Sequence, residues 1–284
     1  MTRPVTTPPD LGVTPGIRLV AVDLDGSLLD DAKRIHPSFW RLLDALEERG
    51  SLLCPASGRQ YATLRRDFGR DDLVYIAENG AYVAHHGREV SSDAIPWAEA
   101  AQAIDATRRA AVGGLDVGAV LCGKRSAYVE RTDEPFVEKV RAYYAELAIV
   151  DDLLAVRDDV LNFSVYDFRS AQTGAGPALA PLDGPLRVLV SDEHWVDVMS
   201  PTADKGHALE AVQRALGIGK DQTMAFGDYL NDLGMLAAAT WSFAMDNAHP
   251  DGRAAARFVA PGNNANGVVR TVAASLDLVG VLER

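Results

Sequence analysis

The chain has 284 residues, 48% of them hydrophobic and 24% charged, with a formal net charge of −12. That length suits two units better than one or three, and the apolar content is enough for a real core. The acidic balance argues against a nucleic-acid or anionic-membrane surface and favours a small ligand. Cys54 and Cys122 are too few and too far apart for a disulfide framework or a zinc motif, which points to a reducing compartment and a cytoplasmic protein.

The elements read as follows in chain order. Met1 to Gly16 carries four prolines and no apolar core segment, so residues 1–15 are expected to be a flexible tail and not a signal peptide. No later apolar run approaches the roughly 20 residues of a membrane span. Arg18 to Leu29 follows, an apolar run with Asp23-Leu24-Asp25-Gly26 at its end. It reads as a buried strand with a turn at Gly26. Alternation along a strand would send the Asp23 and Asp25 side chains off the same way. Two carboxylates that close repel, and one is driven neutral unless a cation sits between them. The arrangement suits a divalent metal plus one carboxylate acting as nucleophile or acid, although a DxD also serves the metal site of some glycosyltransferases.

From His36 to Glu48, Phe39, Leu42, Leu43 and Leu46 recur at helical spacing, with Pro37 at the start and Gly50 at the end. Ser51 to Ala56 is a second strand that runs directly into Ser57-Gly58-Arg59. A helix over Gln60 to Phe68 and a strand over Leu73 to Ala77 follow. This alternation predicts a doubly wound parallel sheet, with ligands beyond the carboxyl ends of its strands. Glu78-Asn79-Gly80 is a turn leading into a hairpin from Tyr82 to Val90.

The rhythm changes near Ser91. An Ala-rich helix (Trp97 to Val112), strands at Val117 to Cys122 and Ser126 to Glu130, a helix from Pro135 to Leu147 and a strand from Leu161 to Tyr166 come next. Gln172 to Pro185, with three glycines and three prolines, reads as a loop. Arg187 to Ser191 and Trp195 to Met199 read as antiparallel strands. This middle third is an α+β insertion, because the alternating pattern resumes with a helix over Lys205 to Leu216 that Gly217 ends. A strand over Thr223 to Phe226, Gly227-Asp228-Tyr229-Leu230-Asn231-Asp232, a helix over Leu233 to Ala239, strands at Trp241 to Met245 and Arg257 to Ala260, and a helix from Val268 complete the chain.

Asp228 and Asp232 follow a strand as Asp23 and Asp25 do, so four carboxylates can converge at one sheet edge. Oxygen-only ligands favour a hard ion, Mg2+ above others. Ser57 stands before a helix whose free N–H groups can hold an anion, though a plain N-cap explains it too. Lys205 starts a helix, where its charge opposes the macrodipole, so it is expected to reach into the site and neutralise phosphate. Arg59 reads as a structural brace, and His85, His86 and His207 are given no ligand role. Gly80 and Gly227 look like tight-turn requirements.

Taken together, Asp23-Leu24-Asp25-Gly26-Ser27-Leu28, Ser57-Gly58-Arg59, Lys205-Gly206 and Gly227-Asp228-Tyr229-Leu230-Asn231-Asp232 resemble the haloacid dehalogenase superfamily, in particular its Cof-like phosphatases with a large α/β cap. Glu78-Asn79-Gly80-Ala81, Met245-Asp246-Asn247-Ala248 and Asn266-Gly267-Val268 are supporting matches. The resemblance implies an α/β fold: a Rossmann-like core over 16–90 and 197–284, with a substrate-selecting cap inserted at 91–196. It implies Asp23 as a nucleophile that takes up the phosphoryl group, and Asp25 as the acid that protonates the leaving alcohol and then activates water. Ser57, Gly58, Lys205 and Asn231 would hold the phosphoryl oxygens. Mg2+ would be held by Asp23, the Asp25 main-chain carbonyl and Asp228, with Asp232 ligating or orienting a water. Ser27 stands where Thr is usual and Asp246 where Gly is usual. Arg125, Arg131 and His194, near cap strand ends, are candidates for substrate contact.

The expected activity is Mg2+-dependent hydrolysis of a small phosphorylated metabolite such as a sugar phosphate, with neither nucleic acid nor membrane as partner. A phosphomutase or phosphotransferase would use the same core. A glycosyltransferase would leave Lys205 and the Asp228/Asp232 pair without a purpose. A non-catalytic phosphometabolite-binding regulator would usually have lost an Asp or the Lys.

Overall fold

A computed structural model describes residues 5–282. In chain order the elements are β1 (Leu19–Asp23), α1 (Ser38–Glu48), β2 (Leu52–Ala56), α2 (Tyr61–Phe68), β3 (Val74–Ala77), β4 (Tyr82–His85) and β5 (Arg88–Ser92). The middle of the chain supplies α3 (Trp97–Val112), β6 (Val117–Gly123), β7 (Ala127–Val129), α4 (Glu134–Tyr143), β8 (Leu147–Ile149), β9 (Val160–Asp167), α5 (Ala175–Leu179), β10 (Arg187–Val190) and β11 (Trp195–Met199). The last part supplies α6 (Lys205–Leu216), β12 (Thr223–Gly227), α7 (Leu233–Ala237), β13 (Trp241–Met245), α8 (Pro250–Ala255), β14 (Phe258–Ala260), α9 (Gly267–Ser275) and α10 (Val279–Leu282).

These elements form two compact units. One comprises the chain up to Gly58, Asp71–Ser91 and the chain from Asp204; the other comprises Arg59–Arg70 and Ser92–Ala203. The first contains an eight-stranded sheet of order β14-β13-β12-β1-β2-β3-β4-β5. From β14 to β3 neighbouring strands run parallel, and β4 turns back against β3. Every residue of β1 is buried, as expected of a central parallel strand covered on both faces. Leu19, Ala21, Val74 and Ile76 pack against Ala208, Leu209 and Val212 of α6.

The second unit contains a six-stranded sheet of order β10-β11-β9-β6-β7-β8. Phe163, Val165, Val196 and Val198 pack on one face against Ala100, Ala103 and Ile104 of α3 and Leu179 of α5. On the other face Val120, Ala127, Tyr166 and Trp195 pack against Phe136 and Val140 of α4.

Several expectations need correction. Residues 59–70, read from sequence as part of the first unit, belong to the second. Gln60 donates to the Glu146 carbonyl at 2.9 Å and accepts from its N–H at 3.0 Å, while Thr63 donates to the Tyr143 carbonyl at 2.9 Å. The second unit also runs to Ala203, beyond the expected end at 196. Within the expected loop 172–185 lies α5, whose first N–H, that of Ala175, donates to buried Asp167 at 2.9 Å. Helix α4 stops at Tyr143, and three of the residues after it form β8, parallel to β7. Helix α8 was not anticipated. In the tail, the Thr6 carbonyl accepts from Arg270 at 2.9 Å, and Thr14 donates to Asp277 at 3.2 Å, so its described part is anchored. Residues 1–4 of the tail lie outside the described residues. Among the described residues no helix is long and apolar enough to cross a membrane.

Candidate active site

Register places the site. Asp23 ends β1 opposite Ala56, the last residue of β2, and Val22 pairs with Phe226 near the end of β12. Ser57 and Asp228 therefore leave their strands beside Asp23, at the carboxyl edge where open α/β sheets bind ligands. The strand stops at Asp23, so alternation does not extend to Asp25. Asp23 is buried, whereas the Asp25 side chain is half-exposed and accepts from Lys33 Nζ at 2.7 Å. The expected Asp23/Asp25 carboxylate pair is thus replaced by another group: one oxygen each from Asp23, Asp228 and Asp232 lies within 4.8 Å of the others.

Lys205 enters this group from the start of α6. The helix is capped by Asp204, which accepts from Gly206 N at 2.7 Å and His207 N at 3.2 Å and offsets the unfavourable placement of a lysine there. Lys205 is 1% exposed and donates to Asp23 Oδ1 at 2.6 Å and Asp232 Oδ1 at 2.7 Å. Burial works against its charge, but the Asp23 and Asp232 carboxylates hold its pKa above the ordinary lysine value. Asp232 Oδ2 accepts from the N–H groups of Asp228 at 2.9 Å and Tyr229 at 3.2 Å. Both Asp232 oxygens are therefore occupied, and the residue positions Lys205 and the Asp228 turn.

The remaining carboxylates carry the strain. Burial first, then the charge of Asp232, pushes the Asp23 carboxyl up to about 8 against the pull of Lys205. The same two causes push Asp228 up to about 6. Asp23 Oδ2 is buried without a hydrogen-bond partner. Three carboxylates against one ammonium, with an unpartnered oxygen among them, suit a hard divalent cation on oxygen ligands.

The surrounding loops fit closely. A Cβ at Gly26, whose φ is +82°, would lie 2.2 Å from Asp228 Oδ2, so only glycine lets these loops approach. Ser57 is buried; its N–H donates to the Ile76 carbonyl at 2.9 Å and its carbonyl accepts from Asn79 N at 3.0 Å. A Cβ on Gly58 would lie 2.9 Å from Asn79 Nδ2. Asn231 donates to Asn79 Oδ1 at 3.1 Å, so Asn79 joins the Ser57-Gly58 turn to the Asp228–Asp232 turn.

Three positioning residues were missed from sequence as individuals. Asn79 is one, and its φ of 53° marks a left-handed position that asparagine tolerates. Asn247 is the second: it donates to the Gly26 carbonyl at 2.8 Å and accepts from Asn263 N at 3.0 Å. Asp204 is the third, and its signal was legible, an Asp directly before a helix start. Asp246, at the position where Gly is usual, accepts from Arg253 at 2.9 Å. The Ser27 hydroxyl is buried without a partner.

The candidates for substrate contact near strand ends of the second unit all have partners within that unit. Arg131 pairs with Asp116 and Asp133 and lies over Phe136 and Phe168. Arg125 pairs with Asp158, and His194 Nδ1 bonds the Asp167 carbonyl at 2.8 Å. Arg59 pairs with Asp67 at 3.1 Å, the bracing part expected of it.

Residues 20–272 match the family model of haloacid dehalogenase-like hydrolases. The chain is 30% identical over 263 residues to 5-amino-6-(5-phospho-D-ribitylamino)uracil phosphatase YbjI of Escherichia coli, covering 90% of this chain and 95% of that one. It is 25% identical to pyridoxal phosphate phosphatase YbhA of the same organism, covering 90% and 97%. A crystal structure of a haloacid dehalogenase-like hydrolase from Bacteroides thetaiotaomicron superposes with a TM-score of 0.78 at 20% identity, covering 90% of this chain and 98% of that one. With Asp23, Asp228, Asp232 and Lys205 gathered at the strand ends, and relatives matched along almost their whole length, the chain belongs to the haloacid dehalogenase-like hydrolase family and is a phosphoric monoester hydrolase of its Cof-like phosphatase branch.

Proposed function

We propose that the protein is a Mg2+-dependent phosphatase that hydrolyses a small phosphorylated metabolite, of the sugar-phosphate class, through an aspartyl-phosphate. The observation that carries this reading is Asp23: one oxygen is fixed by Lys205 and the other is buried and unpartnered. In the first step the Asp23 carboxylate forms a bond to phosphorus, the bond from phosphorus to the substrate oxygen breaks, and Asp25 gives that oxygen its proton. In the second, Asp25 takes a proton from water, which attacks phosphorus, breaks the Asp23–phosphorus bond and releases phosphate. For these steps Asp25 must leave its pairing with Lys33.

Lys205, Ser57, the Gly58 N–H and Asn231 bind the phosphoryl oxygens as charge redistributes. Asp23, Asp228 and the Asp25 main-chain carbonyl would hold Mg2+, with Asp232 positioning Lys205 and the Asp228 turn. Mg2+, when bound, supplies positive charge that keeps the carboxylates ionised and offsets charge on the phosphoryl oxygens. The second unit acts as the cap that selects the substrate. The phosphoribityl group in the name of the Escherichia coli relative supports a phosphorylated hydroxyl-bearing chain. Cys54 and Cys122, both buried and not joined in a disulfide, support a cytoplasmic location.

The test is phosphate release from a panel of phosphorylated metabolites, with and without Mg2+, beside Asp23→Asn. Metal-dependent release that is lost in the variant supports the proposal. Phosphate appearing on an added sugar hydroxyl instead of in solution replaces hydrolysis with transfer.

A further inference from the structure

We infer that Asn263 is a positioning residue for the general acid: with Asp31 and Asn247 it clamps the loop that carries Asp25. The inference rests on the acid role proposed for Asp25 above. β1 ends at Asp23 and α1 begins at Ser38, so Asp25 stands in a loop with no strand or helix to fix it. Two contacts grip its surroundings. On the main-chain side, Asn247 donates to the Gly26 carbonyl at 2.8 Å, one peptide beyond Asp25. On the side-chain side, Lys33 donates to Asp25 at 2.7 Å from a short hairpin. That hairpin is closed by the pairing of Leu29 with Ile35 and by Asp30, which accepts from Arg34 N and Nε, each at 2.9 Å. Lys33 has a φ of 60°, a left-handed position unfavourable to lysine, so the hairpin depends on outside support.

Both contacts lead to Asn263, which is 7% exposed. Its N–H donates to Asn247 Oδ1 at 3.0 Å. Its side-chain amide donates to the Leu29 carbonyl and to Asp31 Oδ1, each at 3.0 Å, which uses both amide hydrogens. Turning the amide over would set its oxygen against a carbonyl and a carboxylate, so the orientation is determined. Asn264 backs the second link: it donates to Asp31 Oδ2 at 2.8 Å and accepts from Asp31 N at 3.1 Å. The amide of Asn263, then that of Asn264, holds the Asp31 carboxyl below the usual carboxylate range.

The place of these anchors separates a catalytic purpose from a merely structural one. They fall on Gly26, Leu29 and Asp31, directly after Asp25, and they come from a residue 234 positions beyond Leu29. Gly26 already abuts the Asp228 carboxylate, so the loop has no freedom to slide that way. A general acid must stand within hydrogen-bond reach of the leaving oxygen, and a displacement of about 1 Å is enough to slow the reaction. Asp25 has to leave Lys33 to act, so its side chain must swing about a backbone that stays still. The clamp keeps that backbone still.

The experiment compares kcat/KM for glycerol 3-phosphate, whose alcohol needs a proton to leave, with kcat/KM for p-nitrophenyl phosphate, whose phenolate leaves without one. It uses the full-length protein, Asn263→Leu, Asn263→Asp, the pair Asn263→Asp with Asp31→Asn, and Asp25→Asn. The ratio is internal to each variant, so partial misfolding cancels. We expect it to fall about a hundredfold or more in Asp25→Asn, as for loss of a general acid. In Asn263→Leu and Asn263→Asp it should fall about tenfold, as for an acid that is present but displaced. In the paired variant the amide at 31 donates to the carboxylate at 263, and the ratio should return to within about threefold of wild type, short of full recovery because the Leu29 carbonyl still lacks its donor. A ratio within about twofold of wild type in both single Asn263 variants, or no recovery in the pair, overturns the inference and leaves the phosphatase reading standing. If Asp25→Asn keeps the wild-type ratio, the acid role fails; if the wild type hydrolyses neither compound, the phosphatase reading fails. Amide exchange then decides the clamp: residues 24–29 exchange faster in Asn263→Leu while 19–23 are unchanged, or the inference falls.

Discussion

The two units place their polar groups differently. In the first, the interiors of β1, β2 and β12 are apolar, and Asp23, Asp228, Asp232 and Lys205 gather at the carboxyl ends of β1 and β12, where a backbone turn and α6 bring them together. In the second, Asn162, Ser164 and Asp197 sit within the strands themselves, on a face that an antiparallel sheet leaves partly open. A parallel sheet covered on both faces has room for chemistry only at its ends, whereas an antiparallel sheet can present side chains from its middle.

The most severe way to probe that comparison is Asp23→Asn. The change is nearly isosteric, so the fold should survive while turnover falls on the order of a million-fold, as for other covalent nucleophiles. Phosphate release at the wild-type rate, with circular dichroism unchanged, would remove Asp23 from its role. Lys205→Met comes next. It leaves the buried Asp23 and Asp232 carboxylates without their cation, and urea unfolding should show a loss of about 3–5 kcal/mol. A loss under about 1 kcal/mol would mean that the carboxylates are neutral and the lysine is not structural.

The second unit has its own buried acid for contrast. Asp167 is 1% exposed and accepts from the N–H groups of Arg169, Ser170 and Ala175. Asp167→Ala should cost about 1–3 kcal/mol by unmooring α5, and Mg2+ affinity should not change. A change in Mg2+ affinity measured by calorimetry would contradict the separation of roles. Gly26→Ala, by pressing a methyl on the Asp228 carboxylate at a backbone φ of +82°, should weaken Mg2+ about tenfold and also lower overall stability by about 1 kcal/mol or more. Unaltered binding would show that Asp228 is not a ligand.

The smallest effect is a pH dependence. The folded-state pKa values of Asp23 (about 8) and Asp228 (about 6) lie above the ordinary 3.8. Between about pH 4 and 8 the metal-free folded state therefore holds more protons than the unfolded chain, and its stability should fall as pH rises through that window. Cation binding needs the ionised carboxylates, so the Mg2+-induced rise in thermal midpoint should be larger at pH 8 than at pH 6. An equal or smaller shift at pH 8 would assign the ion to other ligands.

Much of this architecture is legible in the residues alone. Alternating strands and helices, the acidic ends of the first and twelfth strands, Ser57-Gly58 and a misplaced Lys205 all carry local signals, because turn glycines, buried runs and helix starts are short-range features. The parting of Asp25 from Asp23 is not legible there, since it depends on where β1 stops and on Lys33 reaching back. Nor is the attachment of α2 to the second unit, which turns on Gln60 and Thr63 bonding the backbone at 143–146.

By itself, then, the chain's sequence determined the α/β core, its inserted unit and the residue types of the site. Tertiary structure alone decided which carboxylates meet, that Lys205 bridges Asp23 and Asp232, that Asp167 starts α5 from eight residues away, and that Asn263 bonds the loop beyond Asp25. The physical reason is the range of the forces involved. Apolar periodicity and turn preference act over a few residues, whereas burial, ion pairing and hydrogen-bond satisfaction depend on atoms the chain brings together from far apart.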